Sequence, residues 1–289
     1  MEQDDGRVPG TGLSVDEFVQ HRQFLAGLAY RMLGSWHDAE DVLQEAYVRW
    51  SGVDHDSVAE PRRYLTRVVT RLAVDSLRAR QARRESYAGD WLPEPALSDP
   101  HSAVESDLSM AMLHLMEQLT PPQRAVYVLR TAFVLPYDEI AGILGRTAED
   151  CRQLHKRAAA ALEKGRSRFE PTRAEQQRLL EDFVAAAREG DLPRLQAMLR
   201  DDVTAWSDGG GKAPTARKPI HGSEKVAHYF THVYSRRTRF IQKPVDLITG
   251  PAIYLQLDRT RHLLTLQIEA GQVTGVRVVA NPDKLSALG

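Results

Sequence analysis

The sequence predicts a multidomain protein in which two all-α helical domains precede a C-terminal α+β domain. Three observations lead to this fold class. Apolar residues recur at helical spacing along most of residues 13–170. A proline-containing stretch without Lys or Arg interrupts this pattern over residues 86–107. After Thr172, two helical patterns give way to strand-like runs that are separated by turn residues.

Composition and charge indicate an ordinary globular protein. The 289 residues are 42% hydrophobic and carry a formal net charge of -1 at pH 7. No apolar run approaches the length of a bilayer span, and the acidic N-terminus lacks the basic and apolar parts of a signal peptide. The single cysteine, Cys151, excludes an intramolecular disulfide and a thiolate metal cluster. We therefore expect a cytoplasmic protein with no membrane partner.

The first domain is predicted over residues 13–85 and begins with two amphipathic helices. The first ends near Gly34, and the second, from residue 36 to residue 50, has an acidic side opposite its apolar side. The candidate residues on that polar side are Asp38, Glu40, Asp41, Gln44 and Glu45. The helix macrodipole partly explains acids near a helix start, but it does not explain Gln44.

A third helix is predicted to open at Pro61, and most of its polar positions are arginine. The cationic positions are Arg62, Arg63, Arg67, Arg71, Arg78, Arg80, Arg83 and Arg84. Tyr64 lies near the helix start. Positive charge beside an aromatic ring is expected where phosphates are neutralised and unstacked bases meet an aromatic face. A merely solvated basic helix is the alternative, although few acids are interleaved to balance the charge.

Residues 86–107 are predicted to be a linker, and residues 108–170 a compact bundle of four helices. Trp91 and Leu92 are unusual in a solvated linker, so we expect them to dock on a neighbouring domain. The last part of the bundle, residues 136–164, has two short helical patterns that meet at one tight turn, as in a helix-turn-helix.

The chemistry of that turn is specific. Gly145 is placed for a left-handed C-terminal cap, Thr147 offers a hydroxyl to the free amides of the next helix, and Asp150 completes an approximate capping box. The polar side of the second helix contains Arg152, Gln153, Lys156 and Arg157. This side could enter a major groove. The alternative is an αα-hairpin with a solvated basic face.

The C-terminal domain is predicted over residues 172–289. Helices over 175–189 and 191–199 precede a strand at 203–206 and a helix from Ser223. The strand-like runs that follow are 238–248, 252–257, 262–269 and 273–279. Helices followed by a meander predict an α+β domain with helices on one face of a curved antiparallel sheet.

This order of elements resembles the extracytoplasmic-function (ECF) sigma factors of the sigma-70 family. Residues 38–45 are similar to the region that binds the clamp helices of the RNA polymerase largest subunit. Residues 61–84 resemble the part that melts and reads the minus-ten promoter element. Residues 108–169 resemble the domain that reads the minus-thirty-five element and contacts the polymerase flap. Tyr64 and Arg71 depart from the family pattern, in which tryptophan and asparagine are usual.

Residues 172–289 resemble SnoaL-like domains, which share a cone-shaped fold with nuclear transport factor 2 (NTF2). A subgroup of these sigma factors carries such an extension, marked by three motifs that all occur here: WLPEP at 91–95, DGGGK at 208–212 and NPDKL at 281–285. The regulatory residues that this resemblance implies are Trp91, Pro93, Asp208, Gly209, Gly210, Gly211, Lys212, Asn281, Pro282, Asp283, Lys284 and Leu285.

The resemblance implies an alternative sigma factor that directs core polymerase to specific promoters and is modulated in cis by its extension. Because the polymerase supplies the catalysis, no enzymatic activity is expected. The alternative is a one-component helix-turn-helix regulator that senses a small ligand through the extension. Consecutive glycines suit a close backbone approach at least as well as chemistry. His228 and His232 lack a third ligand at recognisable spacing, so we expect neither a metal nor a cofactor.

Overall fold

The computed structural model describes residues 11–84, 87, 89–98, 109–163 and 171–286, with side chains from residue 16 onward and not for residues 82–84. Predictions for the rest of the linker, for residues 164–170 and for the side chains of Arg83 and Arg84 lie outside the described residues. The chain divides into two compact units. Residues 11–80 and 119–161 belong to the first unit, and the described parts of 81–118 and 162–286 to the second.

The described helices are α1 (Thr11–Leu33), α2 (Trp36–Ser51), α3 (Pro61–Arg84), α4 (Met110–Met116), α5 (Pro121–Thr131), α6 (Tyr137–Leu144), α7 (Ala148–Glu163), α8 (Arg173–Glu189), α9 (Leu192–Met198) and α10 (Ser223–Ser235). The described strands are β1 (Leu199–Asp208), β2 (Ile220–His221), β3 (Phe240–Leu247), β4 (Gly250–Leu257), β5 (Thr260–Glu269) and β6 (Gln272–Val279). No described helix is both long enough and apolar enough to cross a membrane.

The first unit is helical, and its local signals act as predicted. The hydroxyl of Ser35 caps α2 by accepting from the Asp38 amide at 3.1 Å. The predicted apolar face of α2 is buried, and Trp50 on it is fully enclosed. Gly145 adopts the left-handed conformation, with φ 64° and ψ 42°, and ends α6 as expected.

The second unit contains a six-stranded sheet in the order β2-β1-β6-β5-β4-β3. The prediction of an antiparallel sheet is wrong for one pair, because β1 and β6 run parallel. The meander from β3 to β6 returns the chain beside β1 in the same direction, and a strand pattern does not reveal which strand becomes its neighbour. β1 is also longer than predicted, and the two-residue strand β2 was not predicted.

Each face of the sheet has its own apolar core. The inner face packs against α8, α9 and α10 through a cluster that includes Phe183, Phe230 and Val276. The outer face carries a smaller cluster, in which Leu92 of the linker and Met110 of α4 pack against strand residues. The predicted docking of Leu92 is thus confirmed, with α4 as a second cover on the same face.

Backbone hydrogen bonds also hold the linker to the sheet. Leu97 forms an antiparallel bridge with Leu247 on the edge strand β3. The Ser98 amide donates to the Asp246 carbonyl, and the Ile248 amide donates to the Ala96 carbonyl, each at 2.9 Å. The linker therefore extends one end of the sheet edge and occupies donors and acceptors that an edge strand would otherwise expose.

Candidate functional site: a linker-fastening cluster and two arginine-bearing helices

Three segments that are distant in sequence meet at the carboxylate of Asp208, the last residue of β1. Asp208 is fully buried. Its Oδ1 accepts from the Tyr87 hydroxyl at 2.6 Å and from the Gly210 amide at 3.1 Å. Its Oδ2 accepts from the Leu92 amide at 2.9 Å and from Nζ of Lys284 at 2.6 Å. One carboxylate thus connects the linker, the glycine loop and the C-terminal tail.

Lys284 provides the positive charge of this cluster. Its side chain is buried, and Nζ donates to the Leu92 carbonyl at 2.5 Å as well as to Asp208. The ammonium also lies 3.4 Å from the ring centroid of Trp91, an arrangement that a cation–π attraction favours. A buried ion pair is costly to disrupt from one side, since the remaining charge loses its partner. We call Asp208, Lys284, Tyr87, Trp91 and Leu92 the linker-fastening cluster.

Tyr87 was not predicted to belong to this site. Its hydroxyl donates to Asp208 and accepts from Asn281 Nδ2 at 3.1 Å. Burial and the hydrogen bond to the Asp208 carboxylate raise the pKa of Tyr87. The nearby Asp90 also has a raised pKa, because of burial and then the charge of Asp208. A tyrosine four residues before WLPEP gave no signal that could identify it from sequence.

The glycines of DGGGK are required for close packing. A Cβ on Gly209 would collide with the Ala213 carbonyl oxygen, and one on Gly210 would collide with the Asn281 amide. Gly210 and Gly211 also have positive φ, at 60° and 72°. The predicted close backbone approach is therefore confirmed at Gly209 and Gly210.

The remaining motif residues divide between surface and core. Lys212 and Asp283 form an exposed ion pair at 2.5 Å. Pro93 and Leu285 are buried, and Leu285 joins the outer-face cluster. Pro282 is exposed. The same loop and tail are thus joined by one buried and one exposed lysine–aspartate pair.

Sequence reasoning also missed a buried arginine on the outer face. Arg277 of β6 donates to His114 Nδ1 of α4 at 3.2 Å and to Gln267 Oε1 at 3.0 Å. Its guanidinium lies 4.6 Å from the ring centroid of Trp206. Burial lowers the pKa of Arg277 to about 9. Its position inside the apolar run of β6 was the signal that could have revealed it.

The acidic side of α2 is divided between internal contacts and exposed residues. Asp38 accepts from Arg80 at 3.4 Å, and Glu40 pairs with Arg22 at 2.6 Å. Asp41, Gln44 and Glu45 are exposed and share one side of the helix by their spacing. Glu45 also pairs with Arg49, which is exposed, at 3.0 Å.

Arginines of α3 have several distinct environments. Arg80 does not belong to the predicted cationic surface, because it is buried and donates to the Leu33 carbonyl at 2.6 Å. Arg71 donates to the Ile143 carbonyl at 2.9 Å, and Arg63 lies 3.5 Å from Glu139. Both partners belong to α6, so the structure joins the third helix to the first helix of the helix-turn-helix.

The remaining candidate residues of α3 are exposed or half-buried. Arg62 lies over the ring of Phe24, at 4.1 Å from its centroid, and Arg67 lies over Tyr64 at 5.3 Å. Tyr64 is half-buried against Trp50. Arg78 is exposed and pairs with Asp75, which is also exposed.

The second helix of the helix-turn-helix, α7, has the predicted polarity. Cys151, Ala158 and Leu162 are buried. The Asp150 amide donates to Thr147 Oγ1 at 3.1 Å, so the N-cap is as predicted. The predicted groove-facing residues are all exposed: Arg152, Gln153, Lys156 and Arg157. The helix therefore presents its cationic side to solvent.

His155 fixes α7 against α5 and α6, which the sequence did not predict. Its Nδ1 lies 3.1 Å from the Tyr137 hydroxyl, and its Nε2 lies 3.3 Å from Thr131 Oγ1. The ring stacks on Tyr127 with centroids 5.8 Å apart. Burial, followed by the charge of Arg130, lowers the pKa of His155.

The histidines of the second unit form no metal cluster in the described residues, where no three potential ligands come together. His228 Nδ1 lies 2.9 Å from the Glu224 carbonyl of its own helix, and His221 Nδ1 lies 3.1 Å from Thr204 Oγ1. His232 is exposed. Each of these side chains thus has an ordinary structural environment.

Two regions of the chain match models of the sigma-70 family. Residues 18–83 match the model of sigma-70 region 2, and residues 109–162 match that of sigma-70 region 4. The ECF RNA polymerase sigma factor SigJ of Mycobacterium tuberculosis is 34% identical over 95% of this chain and 94% of its own. The probable ECF sigma factor SigI of the same species is 30% identical over 93% of each chain.

A solved structure shows the same architecture. The crystal structure of M. tuberculosis SigJ superimposes with a TM-score of 0.76 at 32% identity, covering 94% of this chain and 98% of that one. The predicted fold class, helical domains followed by an α+β domain, is confirmed. Fold and motifs thus define a helix-turn-helix protein with a fused sheet domain. The chain belongs to the ECF sigma factors of RNA polymerase, and these relatives do not favour a one-component regulator.

Proposed function

We propose that this sigma factor directs core polymerase to promoters through α2, α3 and α7, and that its sheet domain controls this activity by holding the linker. The buried Asp208–Lys284 pair carries the second part of the proposal, because both charged groups also bind the backbone of Leu92. The protein would act in the cytoplasm, where polymerase and promoters meet. Its sheet domain would be regulatory and would catalyse no reaction.

The proposed polymerase-binding surface is the exposed side of α2. Asp41, Gln44 and Glu45 are available there, whereas Asp38 and Glu40 already bind arginines within the unit. Val48 lies one turn beyond Gln44 and is 63% exposed, so it adds apolar area to a polar surface. An acidic rim around an apolar contact suits a basic helical partner such as the polymerase clamp.

The proposed minus-ten surface consists of Arg62, Arg63, Tyr64, Arg67, Arg71 and Arg78 on α3. Arg63 and Arg71 must exchange their contacts with α6 for contacts with DNA. Arg63 is exposed, and its ion pair is therefore weak. Phosphate offers both guanidinium groups charge-assisted hydrogen bonds in return. Half-buried Tyr64 can stack with an unpaired base only on its open side.

The proposed minus-thirty-five surface is the exposed side of α7. We assign base contacts to Arg152 and Gln153, because arginine pairs with guanine and glutamine with adenine in the major groove. Lys156 and Arg157 lie one turn further on, and we assign them phosphate contacts. Thr147 remains bound to the Asp150 amide as the N-cap, so its side chain supports the helix start.

The regulatory proposal rests on the number and kind of bonds that hold the linker. Charge-assisted hydrogen bonds reach both the amide and the carbonyl of Leu92, and its side chain is completely buried. The same linker connects the regions that match sigma-70 regions 2 and 4. Fastening this segment restricts the arrangements that the two regions can adopt on polymerase and promoter.

Mapping of transcript 5′ ends tests the sigma activity. Core polymerase of the source bacterium is incubated with fragmented genomic DNA, alone or with the chain. The chain should produce a defined set of new start sites. A variant with Asp41→Arg and Glu45→Arg should lose them, while Asp54→Arg with Asp56→Arg makes the same charge change at exposed residues beyond α2 and serves as the control. Absence of new start sites with the wild-type chain would refute the proposal.

A further inference from the structure

One end of the sheet carries a group of arginines that the sigma activity does not explain. The end is formed by the start of β3, the end of β4 and the turn into β5, where Phe240 pairs with Leu257 and Leu257 with Thr260. We call the following residues the end-arginine cluster: Arg188, Arg236, Arg237, Arg239, Arg259 and Arg261.

Contacts and chain adjacency place four of these arginines around the turn at Asp258: Arg188, Arg237, Arg239 and Arg259. The Arg239 amide donates to Asp258 Oδ1 at 2.9 Å, and the Asp258 amide donates to the Arg239 carbonyl at 2.9 Å. Arg237, just after α10, lies 3.5 Å from Asp258 Oδ2. Arg188, near the end of α8, lies over Phe240 at 4.7 Å from the ring centroid. Arg259 adjoins Asp258 in the turn itself.

Positive charge at this end is not balanced. The Asp258 carboxylate is already bound by Arg237 and the Arg239 amide, and Glu189, next to Arg188, pairs with Arg194 at 3.2 Å. Four side chains of the cluster are exposed and have no hydrogen bond or ion pair with the described residues: Arg236, Arg239, Arg259 and Arg261. Arginine keeps its charge at any physiological pH.

No described residue outside the sheet covers the outer face at this end. Leu92 and Met110 cover its other half, where Leu247, Ala252 and Leu263 are buried. At the open half, Ile241 pairs with Gln256, and Gln256 pairs with Arg261 on the next strand. Paired residues point to the same face, so Ile241, which is 44% exposed, and Arg261 share this open surface.

Strand alternation adds one further cation to the open surface. Lys243 lies two residues from Ile241 along β3 and is exposed, so it shares the face of Ile241. Arg239 is exposed just before β3 begins. β3 and β5 are separated by one strand, which places their side chains about 10 Å apart. This spread is wider than one small anion can bridge, and it suits an extended polyanion.

Helix-end stabilisation explains only part of the cluster. Arg188, Arg236 and Arg237 lie at the C-terminal ends of α8 and α10, where cations are favourable. Arg239, Arg259 and Arg261 lie beside a turn and on strands, and they have no such reason to be arginine. Guanidinium groups match phosphate oxygens in geometry as well as charge. We propose that the end-arginine cluster binds the phosphate backbone of duplex DNA without reading its sequence.

Anisotropy of a labelled duplex tests this proposal with the full chain. The probe is a fluorescein-labelled duplex of about 40 base pairs with scrambled sequence, titrated at several NaCl concentrations. The test variant replaces four residues by glutamine: Arg236, Arg239, Arg259 and Arg261. The control variant makes the same charge change at exposed residues elsewhere in the unit: Arg178, Arg217, Lys218 and Lys225. Circular dichroism melts compare the folding of both variants with wild type.

The test variant should bind the duplex at least about tenfold more weakly at low salt. The slope of log affinity against log salt should become less negative by about 3 to 4, since each lost phosphate contact removes about 0.9. The single substitution Arg261→Gln should produce about one quarter of that change in slope. It serves as the test if the fourfold variant has a folding defect. The control variant should retain the wild-type slope.

Equal slopes for the test and control variants would overturn the proposal. Unchanged DNA binding together with weaker binding to core polymerase would also overturn it, in favour of an acidic protein partner. Either failure leaves the sigma activity intact, because transcript mapping with the wild-type chain measures that activity separately.

Discussion

Replacing Lys284 by methionine should release the linker from the sheet domain. Methionine keeps much of the apolar length of lysine but leaves the fully buried Asp208 carboxylate without its cation. It also removes the hydrogen bond to the Leu92 carbonyl and the contact with the Trp91 ring. Breaking one side of a buried pair costs about 3 to 5 kcal/mol.

The chain can reduce this cost by releasing the linker, which exposes the Asp208 carboxylate to water. Asp208 would then lose its bonds from the Leu92 amide and the Tyr87 hydroxyl. We therefore expect local release of the linker at a cost below that of global unfolding. The variant should show faster hydrogen exchange at the amides of Leu92, Ser98 and Ile248, while the inner-face core remains protected.

Lys212→Met is the matched control for this experiment. Lys212 and Asp283 join the same loop to the same tail, but their side chains are 58% and 64% exposed. An exposed pair contributes about 0 to 1 kcal/mol. Hydrogen exchange followed by mass spectrometry should therefore distinguish the two variants by a factor of about 100 or more at Leu92, because 3 kcal/mol corresponds to about two powers of ten. Equal exchange in both variants would refute the fastening role of Lys284.

Three further predictions concern other parts of the chain. Gly210→Ala should destabilise the sheet domain in urea by clearly more than Gly271→Ala, since both glycines have positive φ but only Gly210 would collide with the tail. Arg152→Ala should cost about 1 to 3 kcal/mol of promoter-binding free energy and relax the preference at one base pair. Lys156→Ala should instead weaken binding to all promoter sequences alike. Affinities for a set of mutated promoters measure both effects. Burial, with a smaller contribution from the charge of Arg237, lowers the pKa of His262 to about 4, below the 6.5 of an exposed histidine. Between these pH values the unfolded chain binds more protons than the folded chain, so the free energy of unfolding falls as pH decreases. Urea titrations should therefore show that wild type loses about 2 kcal/mol more of its free energy of unfolding from pH 7 to pH 5 than His262→Leu does.

The helical part of the fold could be predicted largely from local signals. The α2 stripe, the Gly145 cap and the Thr147 N-cap each depend on a few neighbouring residues, and each has the expected structure. The direction of β6 relative to β1 depends on the path of the whole meander, and no local pattern contains it. Arg80 illustrates the same limit, since its burial under Leu33 arises from packing between helices.

The motifs of the site could be predicted, but their chemistry could not. WLPEP, DGGGK and NPDKL were recognised as related segments, and the structure brings Leu92, Asp208 and Lys284 into one hydrogen-bonded cluster. Sequence could not show that Lys284 is the buried lysine and Lys212 the exposed one. Tyr87 and His155 were missed for a similar reason, because single aromatic or imidazole residues acquire a role only through partners that are distant in sequence.

Transcription with reconstituted polymerase tests the central claim most directly. Core polymerase is supplied with wild-type chain, Lys284→Met or Lys212→Met, and transcripts from the mapped start sites are quantified. If fastening of the linker controls the sigma factor, Lys284→Met should change the yield severalfold at the same start sites, and Lys212→Met should give the wild-type yield. Identical yields from all three proteins, with the linker shown by hydrogen exchange to be released in Lys284→Met, would contradict the account.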